Sequence, residues 1–302
     1  MTAEKTLRVA TRGSALALWQ THHVSSLLKI PVEEVIIKPA GDLDKSTPIH
    51  ELGGQGVFVK EVEQAVLEGR ADFAVHSAKD LPSELTDGLT IAAVPERGEV
   101  RDAIVGSTIG DLPIGARVGT GSVRRRAQLS AYRPDLKFGE LRGNIDTRLK
   151  KVSEFDAVVL AAVGIARLGK ESEISEVIST DILLPQIAQG ALALECRSDN
   201  EELIELLQKI EHVASRQAVD AERSFLFELG GSCMIPVGAW ARECDDPACS
   251  GNDLHMSALI ASLDGSVVIR EEARDDDPVL LGKRLASAII NNPRAGSIIS
   301  SW

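Results

Sequence analysis

The chain opens on a short run of mainly apolar residues, Leu7 to Thr11, which predicts a β-strand. Ser14 follows as a helix N-cap, and the periodic stretch behind it predicts a helix to about Lys29. Glu34 to Pro39 reads as a second strand and Gly41 to Gly56 as a Gly-rich loop. An amphipathic helix is expected over Val57 to Gly69, and a third strand over Asp72 to His76. This βαβαβ order favours a parallel sheet that binds ligands at the carboxyl ends of its strands.

Pro95-Glu96-Arg97-Gly98 reads as a hinge, and a second α/β rhythm follows it. Its elements are a strand near Arg117 to Thr120, helices Ser122 to Tyr132 and Asn144 to Ser153, and a strand Asp156 to Ala162. Leu184 to Gly190 reads as a second crossing, returning the chain to the first lobe through a strand from Ala191 to Cys196. From His212 the pattern changes. A helix to Glu228 precedes three strands, Ile235–Ala241, His255–Ser262 and Ser266–Ala273, and a helix from Pro278 to Asn291. Strands grouped without helices between them predict a small antiparallel α+β domain. The expected fold is α/β, a two-lobed clamshell like the periplasmic binding proteins with a small third α+β domain. Its domains would be residues 1–96 with about 191–210, residues 97–190, and residues 211–302.

Composition narrows the function. Hydrophobic content of 44% and a mean hydropathy of +0.01 suit a soluble chain with ample material for buried cores. Aromatics at 3% and a pI near 5.1 argue against binding nucleic acid. Met1 to Arg8 is polar and charged, and no run approaches the ~18 apolar residues of a membrane span, so the expected location is the cytoplasm. The four cysteines, Cys196, Cys233, Cys244 and Cys249, read as thiols, and the Cys244/Cys249 pair lacks the partners of a zinc site, so no metal is expected.

Charge is unevenly placed. The chain carries a net charge of −12, yet Arg97 to Lys170 holds 14 Lys/Arg against 8 Asp/Glu. Within that segment Val118-Gly119-Thr120-Gly121-Ser122 runs from a strand into a helix that opens with Arg124 and Arg125, followed by Arg126. Backbone N–H groups, a helix dipole and guanidinium forks together suit carboxylates or phosphates. Successive helical residues turn by about 100°, so Arg124 and Arg125 are expected to serve a site and Arg126 to lie aside or pair with an acid. Arg142 and Arg148 flank a second helix start at Asn144, and Arg167 follows a strand; salt bridges to Asp146 or Glu140 are the plainer reading for one of them.

Asp80 lies in the segment Val75-His76-Ser77-Ala78-Lys79-Asp80-Leu81-Pro82, which ends a buried strand in polar groups, and a carboxylate there can accept N–H bonds from a heterocycle and stabilise a developing cation. Lys79 beside it can move protons or bind a carboxylate. From pattern alone Asp80 reads equally as a turn cap. Cys233 sits in Gly230-Gly231-Ser232-Cys233, a loop that permits close approach by a ligand; a lone cysteine is also often inert.

Taken in order, these segments resemble the porphobilinogen deaminase family of tetrapyrrole and heme biosynthesis. The likeness runs through Ala10-Thr11-Arg12-Gly13-Ser14 to Gln20, Phe58 to Glu61, Val75 to Pro82, Val118 to Gln128, Leu141 to Leu149, Gln189-Gly190-Ala191 and Gly230 to Cys233. It implies a transferase that joins four porphobilinogen molecules head to tail, releases ammonia each time and hydrolyses off hydroxymethylbilane. It further implies a dipyrromethane cofactor in thioether linkage to Cys233 and a monomeric protein that binds neither nucleic acid nor membrane. By the resemblance Asp80 is catalytic. Lys79, Ser77, Thr120, Ser122, Arg124, Arg125, Arg142 and Gln189 hold the cofactor, while Arg12, Ser14, Gln20, Arg148 and Arg167 hold substrate. Glu51 and Gln55 stand where relatives often carry basic residues, and Gly121 where they carry serine. Two other readings remain open here: a receptor for a small dicarboxylate, which leaves Cys233 unexplained, and an inactive tetrapyrrole sensor.

Overall fold

The computed structural model describes residues 6–38, 59–230, 235–244 and 253–300. The loop expected over Gly41 to Gly56, together with Cys233 and Cys249, lies outside them. The chain divides into two compact units, Met1–Arg97 with Ala191–Arg216, and Gly98–Gly190 with Gln217–Trp302.

In the first unit β1 (Leu7–Arg12), β2 (Val32–Ile37) and β3 (Phe73–Ser77) run parallel. β10 (Leu192–Arg197) returns antiparallel between β3 and β4 (Leu89–Ala93), giving the order β2-β1-β3-β10-β4. Side-chain alternation sends Leu7, Val9, Phe73 and Val75 to one face of this sheet. There they pack with Val24 and Leu28 of α1 (Ala15–Leu28) and Leu203 and Leu207 of α6 (Glu201–Leu207). Ala10 and Ala74 face the other way, against Val62 and Val66 of α2 (Lys60–Leu67). Burial on both faces explains the near-continuous apolar strands, each large side chain contributing about 1.5–3 kcal/mol.

The second unit repeats the plan. β6 (Arg117–Gly119), β7 (Lys137–Gly139) and β8 (Ala157–Ala161) are parallel. β5 (Asp102–Val105) runs antiparallel to β8 and to β9 (Glu176–Val177), giving the order β7-β6-β8-β5-β9. α3 (Val123–Tyr132) buries Leu129 with Val118 and Val159 on one face. α4 (Ile145–Lys150) and α5 (Ala162–Ala166) pack with Val158 and Leu160 on the other.

The same unit holds an antiparallel sheet, β11 (Val237–Glu243), β12 (Leu254–Ala261) and β13 (Val268–Asp275), as the strand grouping predicts. α8 (Pro278–Ile290) lies on it, and α7 (Val213–Glu228) precedes it. Ala127 of α3 clusters with Leu184, Leu259 and Ala261, joining this sheet to the larger one. The α/β class is as the sequence predicts. One reading is corrected: Cys244 is disulfide-bonded rather than a thiol, while Cys196 is free and buried.

Candidate active site

Each five-stranded sheet carries its predicted polar residues where its parallel strands end. In the first unit Arg12 closes β1, and Ser14 caps α1, its Oγ accepting the Ala17 N–H at 3.3 Å. That hydroxyl satisfies one of the orphan amides of the helix start. Gln20 is buried on the same helix and donates through Nε2 to Ser77 Oγ at 2.8 Å, which ties α1 to the end of β3. The chain then makes one 3₁₀ turn, Ala78–Asp80, held by the Ala78 N–H on Ala191 O at 3.0 Å. Lys79 is half-buried on this turn and Asp80 is exposed. Arg12, Ser14, Gln20, Ser77, Lys79 and Asp80 are thus brought to one end of one sheet.

The second unit has a parallel arrangement. Thr120, fully buried after β6, donates its N–H to Gly139 O at 3.0 Å and accepts the Ser122 N–H on Oγ1 at 3.2 Å. Ser122 caps α3 and accepts the Arg125 N–H at 3.4 Å. Asn144 caps α4, accepting the Thr147 N–H at 2.9 Å, with Arg142 just before it. Arg148 on that helix donates from Nε to Gly143 O at 2.7 Å. Asp146 takes Lys170 at 2.6 Å, and Glu140 takes Arg126 at 3.9 Å, the pairing with an acid expected for Arg126. Arg167 follows α5 and donates from Nη2 to Gly190 O at 2.8 Å. Burial alone pushes its pKa down to about 10, a mark of a guanidinium drawn out of water.

Arg124 and Arg125 are placed differently from the reading that aims them first at a ligand. They are 3% and 6% exposed, and both turn onto Asp102, which is 0% exposed at the start of β5. Asp102 Oδ2 accepts Arg124 Nη2 at 2.7 Å, and Oδ1 accepts Arg125 Nη2 at 2.7 Å and Nε at 3.1 Å. Gln189, fully buried, adds Nε2 on Oδ1 at 3.0 Å and on Val100 O at 2.7 Å. The remaining bonds of the pair run to carbonyls, Arg124 to Leu184 O at 2.5 Å and Arg125 to Val159 O at 3.1 Å. Burial by itself raises the Asp102 carboxyl, but attraction and hydrogen bonds from both arginines carry it well below the usual carboxylate range. Two guanidiniums against one carboxylate leave this cluster with a charge of +1, and Arg124 Nε is buried without a hydrogen-bond partner.

Sequence reasoning passed over Asp102. The available signal was a carboxylate opening the apolar run Asp102-Ala103-Ile104-Val105 inside the basic segment.

Comparison with known proteins gives the family of the chain. Residues 7–205 match the family model described as "Porphobilinogen deaminase, dipyromethane cofactor binding domain", and residues 216–291 match "Porphobilinogen deaminase, C-terminal domain". The chain belongs to the porphobilinogen deaminase family. A porphobilinogen deaminase of Brevibacillus brevis is 43% identical over 295 residues, covering 94% of this chain and 93% of that protein. One from a Roseiflexus species is 44% identical over 301 residues, covering 95% and 97%. Among solved structures, a putative lipoprotein from Ruminococcus gnavus covers 68% of this chain and 90% of its own at 15% identity and a TM-score of 0.43.

For a porphobilinogen deaminase the matched range matters. The cofactor-binding model spans both five-stranded sheets and so includes every described candidate from Arg12 to Gln189. Glu51, Gln55 and Cys233 lie outside the described residues. At Gly121 a Cβ would stand 3.0 Å from Leu141 O, so the serine expected there from relatives would require the 141 backbone to give way slightly. Among the described residues no helix is long and apolar enough to cross a membrane.

Proposed function

We propose that this chain joins four porphobilinogen molecules head to tail and releases hydroxymethylbilane, acting as a transferase of tetrapyrrole biosynthesis. Family membership along nearly the whole of the chain and of its relatives carries this reading. In each cycle the aminomethyl C–N bond breaks and the nitrogen leaves as ammonia. A C–C bond then forms from that methylene carbon to the free α-carbon of the growing chain's last pyrrole, which gives up its proton. Water finally cleaves the bond behind the fourth unit, so that the four-unit product leaves and the two primer units stay on the protein.

We assign Asp80 the stabilisation of the cation that forms as ammonia departs. Its carboxylate sits on a turn fixed to Ala191, just before β10, and can accept pyrrole N–H groups; a fixed charge favours the cationic transition state over the neutral ground state. Lys79 stands next to it to hold a carboxylate or move a proton.

The chain's dipyrromethane, when bound, supplies the pyrrole from which extension starts, and we assign its thioether attachment to Cys233. The described residues fit such a group. The Asp102 cluster keeps one positive charge and an unpartnered buried Arg124 Nε. An acetate or propionate carboxylate answers both needs. Arg124, Arg125, Arg142, Ser77, Thr120, Ser122 and Gln189 are therefore given to the cofactor, and Arg12, Ser14, Gln20, Arg148 and Arg167 to substrate. A monomer in the cytoplasm, with residues 211–302 forming a domain that carries the Cys233 loop, completes the proposal.

Intact mass under denaturing conditions tests it. The protein, after incubation with porphobilinogen, should carry two linked porphobilinogen-derived units, lost in Cys233→Ser, and should turn porphobilinogen over. No adduct and no product would defeat the reading.

A further inference from the structure

The strap Leu184–Gly190 ends at the carbonyl that receives Arg167, and it is held by side chains far from it in sequence. Gln128 of α3 accepts the Leu184 N–H at 2.8 Å and donates to Leu184 O at 3.1 Å. Ala239 of β11 donates its N–H to Pro185 O at 3.0 Å, an approach so close that a Cβ on neighbouring Gly238 would stand 2.9 Å from Leu184 O.

Within the strap Ala188 takes a φ of 57°, a left-handed conformation that costs an alanine energy and persists only where surroundings impose it. The side chain that bonds its amide is Glu222. This fully buried carboxylate on α7 accepts the Ala188 N–H on Oε2 at 2.6 Å and the Ala241 N–H of β11 on Oε1 at 2.9 Å. Two charge-assisted bonds clamp the strap between a helix and a strand.

The two residues after Ala188 show the consequence. Gln189 reaches Asp102, which orients Arg124 and Arg125, and the carbonyl of Gly190 receives Arg167. We propose that Glu222 is a positioning residue for ligand binding in the second unit: by holding Ala188 left-handed it aims Gln189 at Asp102 and the Gly190 carbonyl at Arg167. The inference rests on the reading of those residues as holding cofactor and substrate.

The test is Glu222→Gln, alone and with Ala188→Gly. Glutamine keeps the shape but turns an NH₂ group toward one of the two amide donors, whereas glycine adopts the left-handed conformation unaided. Two quantities are read: amide exchange at 188–190, and the rate at which apo-protein gains its two-unit adduct from porphobilinogen, followed by intact mass. In Glu222→Gln exchange should quicken and loading should slow, each tenfold or more, and the added Ala188→Gly should bring loading back to within threefold of native. A folded Glu222→Gln that loads at the native rate overturns the proposal, as does unchanged exchange or a defect that glycine does not relieve. If the single variant does not fold, the double variant decides: near-native loading supports the clamp, and impaired loading or failure to fold overturns it. Native protein that never loads would instead defeat the functional reading, and the exchange of the strap would still judge Glu222.

Discussion

Asp102→Asn removes one negative charge from a site where its magnitude can be reasoned from geometry. Asparagine keeps the shape of aspartate and one carbonyl oxygen, but its NH₂ group faces donors that met a carboxylate. Arg124 and Arg125 would remain buried with carbonyls as their chief acceptors, the Leu184 and Val159 oxygens. Removing one partner of a buried ion pair costs about 3–5 kcal/mol, and the retained oxygen places this change near the low end. Against a whole-protein stability of about 5–15 kcal/mol that is a large loss, equivalent to a fall of roughly 10 °C in Tm. Urea unfolding of native and variant protein, both stripped of cofactor, measures it. The pH dependence supplies a second check. The folded-state pKa of Asp102 is depressed below its unfolded value of about 3.9, so its stabilisation is full above that value and is lost as pH falls toward the folded pKa. The gap between native and variant should stay constant from about pH 5 to 8 and narrow in acid. A gap under about 1 kcal/mol at neutral pH, or one that widens in acid, would refute the account of Asp102 as the counter-charge of both arginines.

Two further outcomes are expected in the first unit. Asp80→Asn, at an exposed turn, should change stability by no more than about 0.5 kcal/mol and leave the covalent adduct in place, while kcat falls about 10²–10³-fold; a loss under tenfold removes Asp80 from its assigned role. Glu63 is buried, accepts Thr86 Oγ1 at 2.8 Å, and has its carboxyl raised by burial first and by Glu195 second. A raised folded-state pKa favours the neutral acid, so that contribution is present below the unfolded value of about 4.3 and lost as pH rises through the folded pKa. Glu63→Gln should therefore match or exceed native stability at pH 7 in thermal unfolding, with the advantage shrinking toward pH 4; an advantage that grows in acid contradicts this.

Much of the fold is legible in the sequence because several strands of the two larger sheets are buried on both faces. Leu7 to Arg12, Phe73 to Ser77 and Ala157 to Ala161 announce themselves as apolar runs, and Ser14, Ser122 and Asn144 mark helix starts by capping chemistry that needs no tertiary context. The elements that escape are those defined by partners. β5 is four residues long and opens on a carboxylate, and β9 has two residues; each becomes a strand through antiparallel pairing with chain that lies far away in sequence. Leu89–Ala93 escapes for the same reason, since its register is set by β10, over a hundred residues on.

The site divides along a similar line. The arginine run at 124–126 is visible as charge, but charge summed along a segment takes no account of direction. Two of its three guanidiniums point inward to a carboxylate 22 and 23 residues earlier, so the pair and Asp102 present a charge of +1 rather than +2. The left-handed Ala188 and its clamp Glu222 leave no mark at all, because an alanine carries no sign of its φ and a glutamate on a helix reads as surface. The positive surplus of residues 97–170 is thus partly internal wiring. In the proposed role, selectivity for a carboxylate rests on how that wiring is aimed: a single retained charge, held by Asp102 and Gln189, is set to recognise one anion at a defined place, where three solvated arginines would attract any.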